Sequence, residues 1–261
     1  DALQLVEVDY EALPAVHDVL EGAKAGSPLV HEQHRPAKAF ADLAHVKAGQ
    51  QSNVCYHFKL RTGDVDKAFA EADRVFEDTF SSPPAQHVPM EPHVTLAYLD
   101  EHERLNIWTA SQSPSYVRTE ISATFGIPMN RIRVRVPYIG GGYGAKLYAK
   151  LEPLVTVLAL ITKKPVRYAL TREEEFLTIT KHKVVTNIKT AIKDGAITAR
   201  KCEVYWDTGA YAEIGPRIGH KSGYTSAGPY RIPNVWIDSY CVYTNKVPAG
   251  AFRGFGVPQV I

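Results

Sequence analysis

The chain has 261 residues, of which 45% are hydrophobic and 22% charged, with a formal net charge of +2 at pH 7. This is the size and composition of an ordinary soluble protein with one large or two modest domains. The small net charge and the absence of any lysine or arginine run exclude nucleic acid as the expected partner. The apolar runs are shorter than the roughly 20 residues that a membrane-spanning helix needs, so no membrane span is expected.

Cysteine usage and the first residues bear on the cellular compartment. Cys55, Cys202 and Cys241 are scattered and form no C-x-x-C pair, which predicts neither a zinc nor an iron–sulfur site in this chain. An odd cysteine count without a spacing framework suits a reducing compartment. The opening residues have neither the basic nor the apolar region of a signal peptide. We therefore expect a cytoplasmic protein.

The first part of the chain is predicted to be the remnant of a small α/β domain followed by a linker. Residues 3–10 have the pattern of a strand, and residues 31–55 are polar and show no sustained period. A strand is expected at residues 56–61, and Asp64 is placed to cap a short helix. We place the domain boundary near residue 60, which divides the chain into residues 1–60 and 61–261.

The middle of the chain alternates strand and helix patterns. Pro114 is a favourable first residue for a helix that should continue to about Phe125. A second apolar stripe follows Lys146, and its regular helix should begin near Pro153. Strands are predicted at residues 75–80, 94–99, 105–110 and 131–136.

The last third has the signals of a long hairpin. Two strands, at residues 183–193 and 197–207, flank the turn residues Asp194 and Gly195. The glycine-rich residues 209–228 are predicted to be a loop. Further elements are a strand at 165–170, a capped turn at 171–175, a strand at 235–244 and a helix start at Pro258. Together these elements predict an α+β fold of mixed sheets with packed helices.

A glycine-rich segment at residues 140–146, Gly-Gly-Gly-Tyr-Gly-Ala-Lys, lies between a strand and a helix. Such a segment presents unpaired N–H groups that bind anions. It fails the P-loop pattern but matches the dinucleotide pattern from Gly140 to Ala145. The first acidic residue after the next strand, Glu173, is about ten residues late for a ribose contact. A NAD-binding dehydrogenase domain is therefore an open alternative.

Four segments taken together resemble one known family. They are residues 108–113, 140–146, 165–175 and 250–256, and Met90-Glu-Pro and Tyr230-Arg-Ile-Pro-Asn also fit. Their order and spacing are similar to the molybdopterin-binding subunit of the molybdenum hydroxylases, the xanthine dehydrogenase and aldehyde oxidase family. The resemblance covers the whole chain and corresponds to the N-terminal cofactor-binding half of that subunit, with residues 61–261 as its first molybdopterin-binding domain, truncated at its C-terminal end.

The resemblance implies an enzyme that oxidises aldehydes or aromatic heterocycles with water as the oxygen source. The implied cofactor is molybdenum–molybdopterin, with a phosphate or a cytidine dinucleotide tail and no direct protein ligand to the metal. FAD and 2Fe-2S clusters would lie on partner subunits or domains, and the small organic substrate would bind beside the metal. The general base would lie downstream, in the remaining C-terminal half, so no catalytic residue is expected in this chain. The isolated chain would then be incomplete, and an inactive structural fragment without cofactor is a further alternative.

The resemblance also assigns roles to individual residues. Gln112 corresponds to a glutamine that hydrogen-bonds an oxygen ligand of molybdenum, and Arg253 to an arginine beside the pterin. The expected cofactor-binding residues are Gln112, Gly141, Gly142, Tyr143, Arg253 and Gly254.

The expected substrate pocket comprises Tyr143, Leu147 and Lys221. Tyr143 stands where the family more often has phenylalanine. Leu147 stands where purine-oxidising members of the family have a glutamate. Lys221 stands at about the position of their substrate-binding arginine, counted back from Ile232. Loss of that carboxylate disfavours a purine substrate.

Overall fold

The computed structural model describes residues 2–34 and 51–261. Its strands are β1 Val54–Thr62, β2 Arg74–Ser82, β3 Val94–Leu99, β4 Leu105–Thr109, β5 Ile132–Arg135, β6 Val166–Ala169, β7 Thr180–Lys181, β8 Lys183–Lys193, β9 Ala196–Gly209, β10 Asn234–Tyr243 and β11 Ala249–Gly250. Its α-helices are α1 Val19–Ala23, α2 Val65–Ala70, α3 Pro114–Phe125, α4 Glu152–Thr162, α5 Arg172–Glu175, α6 Gly215–Thr225 and α7 Val257–Val260. Short 3₁₀ turns occupy Ala2–Leu5 and Met129–Arg131.

The larger sheet has the strand order β1-β10-β9-β8-β2. β8 and β9 form the predicted hairpin, and Asp194 and Gly195 both adopt positive φ in its turn. One face of the sheet packs against α6, where Trp206 and Ile237 are buried against Ile218. Because side chains alternate along a strand, the opposite face carries the residues that meet α1 and α2.

The smaller sheet has the order β5-β4-β3-β6 and is covered by α3 and α4. β4 and β5 are parallel and connected through α3. The buried side chains of Ile107, Val117 and Val155 belong to the core between this sheet and its helices. Parallel and antiparallel pairs occur in both sheets, so the predicted α+β class with mixed sheets is confirmed.

Two short strands connect the two sheets. β11 pairs in parallel with β7, with Ala249 opposite Thr180 and Gly250 opposite Lys181. β7 directly precedes β8 of the larger sheet, and β11 leads into residues 251–256. This pairing places the second glycine-rich segment at the junction of the two sheets.

The glycine-rich residues 209–228 are not a loop, because α6 occupies most of them. The small residues allow the helix to approach the larger sheet closely. A Cβ on Gly223 would lie 2.6 Å from Cδ1 of Phe58 on β1. Residues that lower helix propensity in isolation are therefore required here by packing.

The strand expected at residues 3–10 is also wrong. Ala2–Leu5 is a 3₁₀ turn and residues 6–10 have no regular structure. Leu3 and Leu5 are exposed, and no strand among the described residues pairs with this segment. A strand pattern without a neighbouring strand leaves the backbone without its ladder of hydrogen bonds.

The boundary expected near residue 60 lies inside β1, which pairs with β10 from Val54 to Thr62. Both sides of that position therefore belong to one sheet, while the division into residues 1–60 and 61–261 stays a prediction. Part of the expected linker, residues 35–50, lies outside the described residues. Within the described ranges, no helix is both long and apolar enough to cross a membrane.

Candidate functional site

The first glycine segment, residues 140–146, follows β5 and turns with an unusual backbone. Gly141 and Gly144 have φ of +94° and +111°, and Tyr143 between them has φ of 53°. The N–H groups of residues 141–143 donate to no acceptor in the part of the chain that the structure describes. Successive free N–H groups on a backbone of this kind form a concave site for anions.

Gln112 lies against this segment. Its Oε1 accepts a hydrogen bond from the Gly144 N–H at 3.0 Å, and its own N–H donates to the Lys146 carbonyl at 2.7 Å. A Cβ on Gly142 would lie 2.5 Å from Oε1 of Gln112, so only glycine fits there without displacing the glutamine. The hydrogen bond to Oε1 fixes the orientation of the amide, and its Nε2 group can donate to a ligand.

The second glycine segment, residues 250–256, contacts the first. A Cβ on Gly144 would lie 2.2 Å from the carbonyl oxygen of Ala251, so the two backbones meet directly. His87 donates from Nε2 to that same carbonyl at 2.7 Å. Burial lowers the pKa of His87, which keeps the ring neutral in this role.

Gly254, Phe255 and Gly256 all have positive φ, so the second segment also turns through left-handed backbone. The N–H groups of Arg253 and Gly254 donate to no described residue. The Arg253 side chain is exposed, and it forms no ion pair with any carboxylate whose position the structure gives. An unpaired guanidinium beside free N–H groups favours an anionic ligand.

The side chain of Lys146, the last residue of the first segment, is buried and paired with Glu91. Lys146 is 1% exposed and donates from Nζ to the Glu91 carboxylate at 2.7 Å and to its carbonyl at 2.8 Å. The same carboxylate accepts the Gly140 N–H at 2.9 Å. Burial raises the pKa of Glu91, but the hydrogen bonds from Lys146 and Gly140 outweigh it and hold the pKa below its ordinary value.

His93, two residues further on, lies between the buried Glu175 and the Ala145 carbonyl. Its Nδ1 is 2.8 Å from Oε1 of Glu175 and its Nε2 is 3.2 Å from the Ala145 carbonyl oxygen. Hydrogen bonds from His93 outweigh the effect of burial, which alone would raise the pKa of Glu175, and the pKa is lowered.

A further ion pair lies beside Gly250, the first residue of the second segment. Lys150 donates to Glu213 at 2.5 Å, and both side chains are mostly buried. A Cβ on Gly250 would lie 2.5 Å from Oε2 of Glu213, so the second segment passes directly over this carboxylate. Glu213 itself has φ of 42°, in the left-handed region.

Two of the residues expected to contact substrate, Leu147 and Lys221, lie near Phe255 of the second segment. Leu147 packs with Phe255 against the cluster that includes Ile218. Lys221 lies on α6 with Nζ 5.4 Å from the centre of the Phe255 ring. Tyr143 is 48% exposed, so its ring is available to a ligand.

The structure thus brings the two glycine segments into contact at Gly144 and Ala251 and places Gln112 against the first of them. It adds His87, His93, Glu175 and Glu213 to the residues around them. The sequence carried one usable signal for the first two: in residues 86–93, polar side chains recur around Pro89 and Pro92 just before a strand. Glu91 and Glu152 are both hydrogen-bonded carboxylates. Glu152 accepts from the Thr109 hydroxyl at 2.6 Å.

The dinucleotide alternative is not favoured by this geometry. A dinucleotide loop leads directly into a helix N-terminus. Here residues 147–151 separate the first glycine segment from α4, and the adjoining sheet is mixed rather than doubly wound.

The sequence profile of the molybdopterin cofactor-binding domain matches residues 46–261. The chain belongs to this family. Among curated relatives, the molybdopterin-binding domain is 34% identical to the nicotinate dehydrogenase large molybdopterin subunit of Eubacterium barkeri, covering 99% of this chain and 57% of that subunit. It is 30% identical to the carbon monoxide dehydrogenase large chain of Afipia carboxidovorans, covering 100% of this chain and 33% of that one. The expected family resemblance is confirmed.

Solved structures give the same result for the fold. The aldehyde oxidoreductase from Desulfovibrio gigas superposes with a TM-score of 0.88 at 27% identity, covering 99% of this chain and 27% of that one. Quinoline 2-oxidoreductase from Pseudomonas putida 86 superposes with a TM-score of 0.79 at 30% identity, covering 98% and 31%. The molybdopterin-binding domain therefore spans about half or less of the relatives that it matches.

Proposed function

We propose that this domain forms one wall of the cofactor site in a molybdenum hydroxylase. The two glycine segments meet at Gly144 and Ala251, and each presents N–H groups without a described acceptor. A side chain at residue 142 would overlap Gln112, and one at residue 144 would overlap the Ala251 carbonyl. Both positions therefore require glycine, which leaves the backbone N–H groups open to a ligand. This cradle, together with the unpaired Arg253, is the observation that carries the proposal.

The residues present fit an anionic organic cofactor. Arg253 and the N–H groups of residues 253–254 would hold negatively charged oxygens of the pterin or its tail. The Nε2 group of Gln112 would donate to an oxygen ligand of the metal, and the N–H groups of residues 141–143 would donate beside it. Bound there, molybdenum–molybdopterin supplies the two-electron chemistry of hydroxylation with water as the oxygen source.

The substrate is proposed to be an aldehyde or an aromatic heterocycle. Leu147 supplies no carboxylate that could bind a purine, and it packs with Phe255 in an apolar cluster. Tyr143 adds an exposed ring, and Lys221 adds a cation beside that cluster. The names of two matched proteins, nicotinate dehydrogenase and quinoline 2-oxidoreductase, also refer to aromatic nitrogen heterocycles.

The remaining parts of the enzyme are proposed to lie on other sequence. Glu91 and Glu152 are engaged in hydrogen bonds, so neither is free to act as the general base. The base would come from the C-terminal half of the molybdenum subunit. Electrons would leave through 2Fe-2S and FAD partners in a cytoplasmic complex, and the pterin tail would carry a phosphate or a cytidine dinucleotide.

The proposal is tested on the native protein purified with the partners that accompany it. Molybdenum is measured by elemental analysis, pterin by fluorescence after oxidation, and a dinucleotide tail by release of cytidine monophosphate. We expect stoichiometric molybdenum and pterin, with both reduced in Arg253→Ala and unchanged in the exposed-arginine control Arg104→Ala. Molybdenum absent together with tight NADH binding would establish the dinucleotide alternative. Absence of both ligands would leave an inactive structural fragment.

A further inference from the structure

The residues that hold the first glycine segment in place come from one short stretch before β3. Glu91 binds both ends of the segment, because its carboxylate accepts from Gly140 at 2.9 Å and from the Lys146 ammonium at 2.7 Å. The Glu91 N–H also donates to the Gly140 carbonyl at 3.2 Å. Residues 140 and 146 are thus closed into a ring by a single side chain.

His93 adds a third point of attachment. It donates toward the Ala145 carbonyl from one ring nitrogen and contacts Glu175 with the other. Glu175 is fully buried and is fixed by its place at the end of the capped helix α5. Pro92 separates Glu91 and His93, so the two side chains are presented by a stiff segment.

The direction of Lys146 is the informative feature. A lysine in a glycine-rich loop would bind a phosphate if it pointed outward. The Lys146 side chain is instead inaccessible, and among the described residues it donates only to Glu91. Buried ion pairs contribute less to stability than apolar residues of the same volume would. The Lys146–Glu91 pair joins the residues on either side of the free N–H groups of residues 141–143. Its contribution is therefore to fix the geometry of these groups rather than to stabilise the fold.

We infer that Glu91, Lys146, His93 and Glu175 form a latch that positions the N–H groups of the first glycine segment for the cofactor. The four are positioning residues, since the contacts that define the latch are with the backbone of the first segment and with one another. This inference rests on the proposed function and goes beyond it. It assigns cofactor retention to the Lys146–Glu91 ion pair and to the hydrogen bonds of His93 with Glu175 and Ala145. It also assigns the lysine of the segment a partner in the interior, where it could not bind a phosphate. Loops held in advance bind without the cost of ordering at the moment of binding.

The test compares Glu91→Ala, Glu91→Gln and Lys146→Met in the native holoenzyme. Glu77→Ala serves as the control, because Glu77 forms an exposed ion pair with Lys189 at 3.5 Å on the larger sheet. Two quantities are measured: the rate at which molybdenum and pterin are lost during dialysis, and the thermal unfolding of the cofactor-free protein. We expect loss to be faster by roughly 10–100-fold in Glu91→Ala and Lys146→Met, the range typical of residues that orient the groups contacting a metal centre.

Glu91→Gln retains a carbonyl acceptor for the Gly140 N–H, so it should restore part of the retention. Glu77→Ala should release cofactor at the wild-type rate. If Glu91→Ala does not fold, Glu91→Gln and Lys146→Met decide the matter. Wild-type release rates in the variants that fold would refute the latch. A wild-type protein that never contains molybdenum or pterin would refute the proposed function instead, so the two failures are distinguishable.

Discussion

Replacement of Gly144 by alanine tests the contact between the two glycine segments. Gly144 has φ of +111°, and the added Cβ would lie 2.2 Å from the Ala251 carbonyl oxygen and 2.7 Å from its carbon. These atoms belong to the backbone, so they cannot rotate away as a side chain could. The same carbonyl accepts the hydrogen bond from His87, and a shift of residue 251 would lengthen it.

The cost can be added from its parts. Left-handed backbone costs a residue with a Cβ roughly 1–2 kcal/mol, overpacking about 1–3 kcal/mol and a weakened hydrogen bond about 0.5–1.5 kcal/mol, which gives roughly 3–6 kcal/mol. Gly195 offers a matched control, because its φ is +75° and nothing lies within 4 Å of its Cβ position. Gly195→Ala should therefore cost only the backbone part, about 1–2 kcal/mol.

Urea unfolding followed by circular dichroism measures both variants without cofactor. We expect Gly144→Ala to lose about 2–4 kcal/mol more than Gly195→Ala, which corresponds to a Tm lower by roughly 5–15 °C for a chain of this size. Equal losses of unfolding free energy in the two variants would show that the Ala251 backbone moves away from the added Cβ at no cost. In that case the contact between the backbones of the two segments would not be rigid.

Three further predictions concern other parts of the molecule. Gly142→Ala should cost less stability than Gly144→Ala, because the Cβ would meet only the flexible end of Gln112, at 2.5 Å. It should nevertheless reduce molybdenum retention, and retention equal to wild type would contradict the role of Gln112. Burial raises the pKa of Glu120 from 4.5 to about 7. The unfolded carboxyl therefore ionises first, and the free energy of unfolding should fall between those pH values. Glu120→Gln should abolish this fall in urea titrations across that range, whereas parallel curves for the two proteins would refute it. Asp238 is buried, which would raise its pKa, yet hydrogen bonds from Arg61, His57 and Trp236 lower it below 3.8. Asp238→Asn should cost about 1–3 kcal/mol at neutral pH. That cost should disappear as the pH falls through the lowered pKa, and a cost independent of pH would exclude a contribution from the charge.

Elements with a strong local signal were predictable. The hairpin around Asp194 and Gly195, the helix from Pro114 to Phe125 and the helix start near Pro153 all follow from turn residues, capping and apolar spacing. α6 was missed for the opposite reason. Its glycines signal a loop locally, and only the close approach to Phe58 explains why they form a helix.

The sequence by itself determined the family, through two glycine segments in a fixed order, and it identified Gln112, Tyr143 and Arg253 as candidates for cofactor contact. Those assignments depend on residue type and spacing, which the chain carries locally. The tertiary structure alone decided that Lys146 turns inward to Glu91 and that His87 holds Ala251. Partners so far apart in the chain are selected by how the two sheets pack, because a hydrogen bond depends on distance in space and leaves no periodic trace in the sequence.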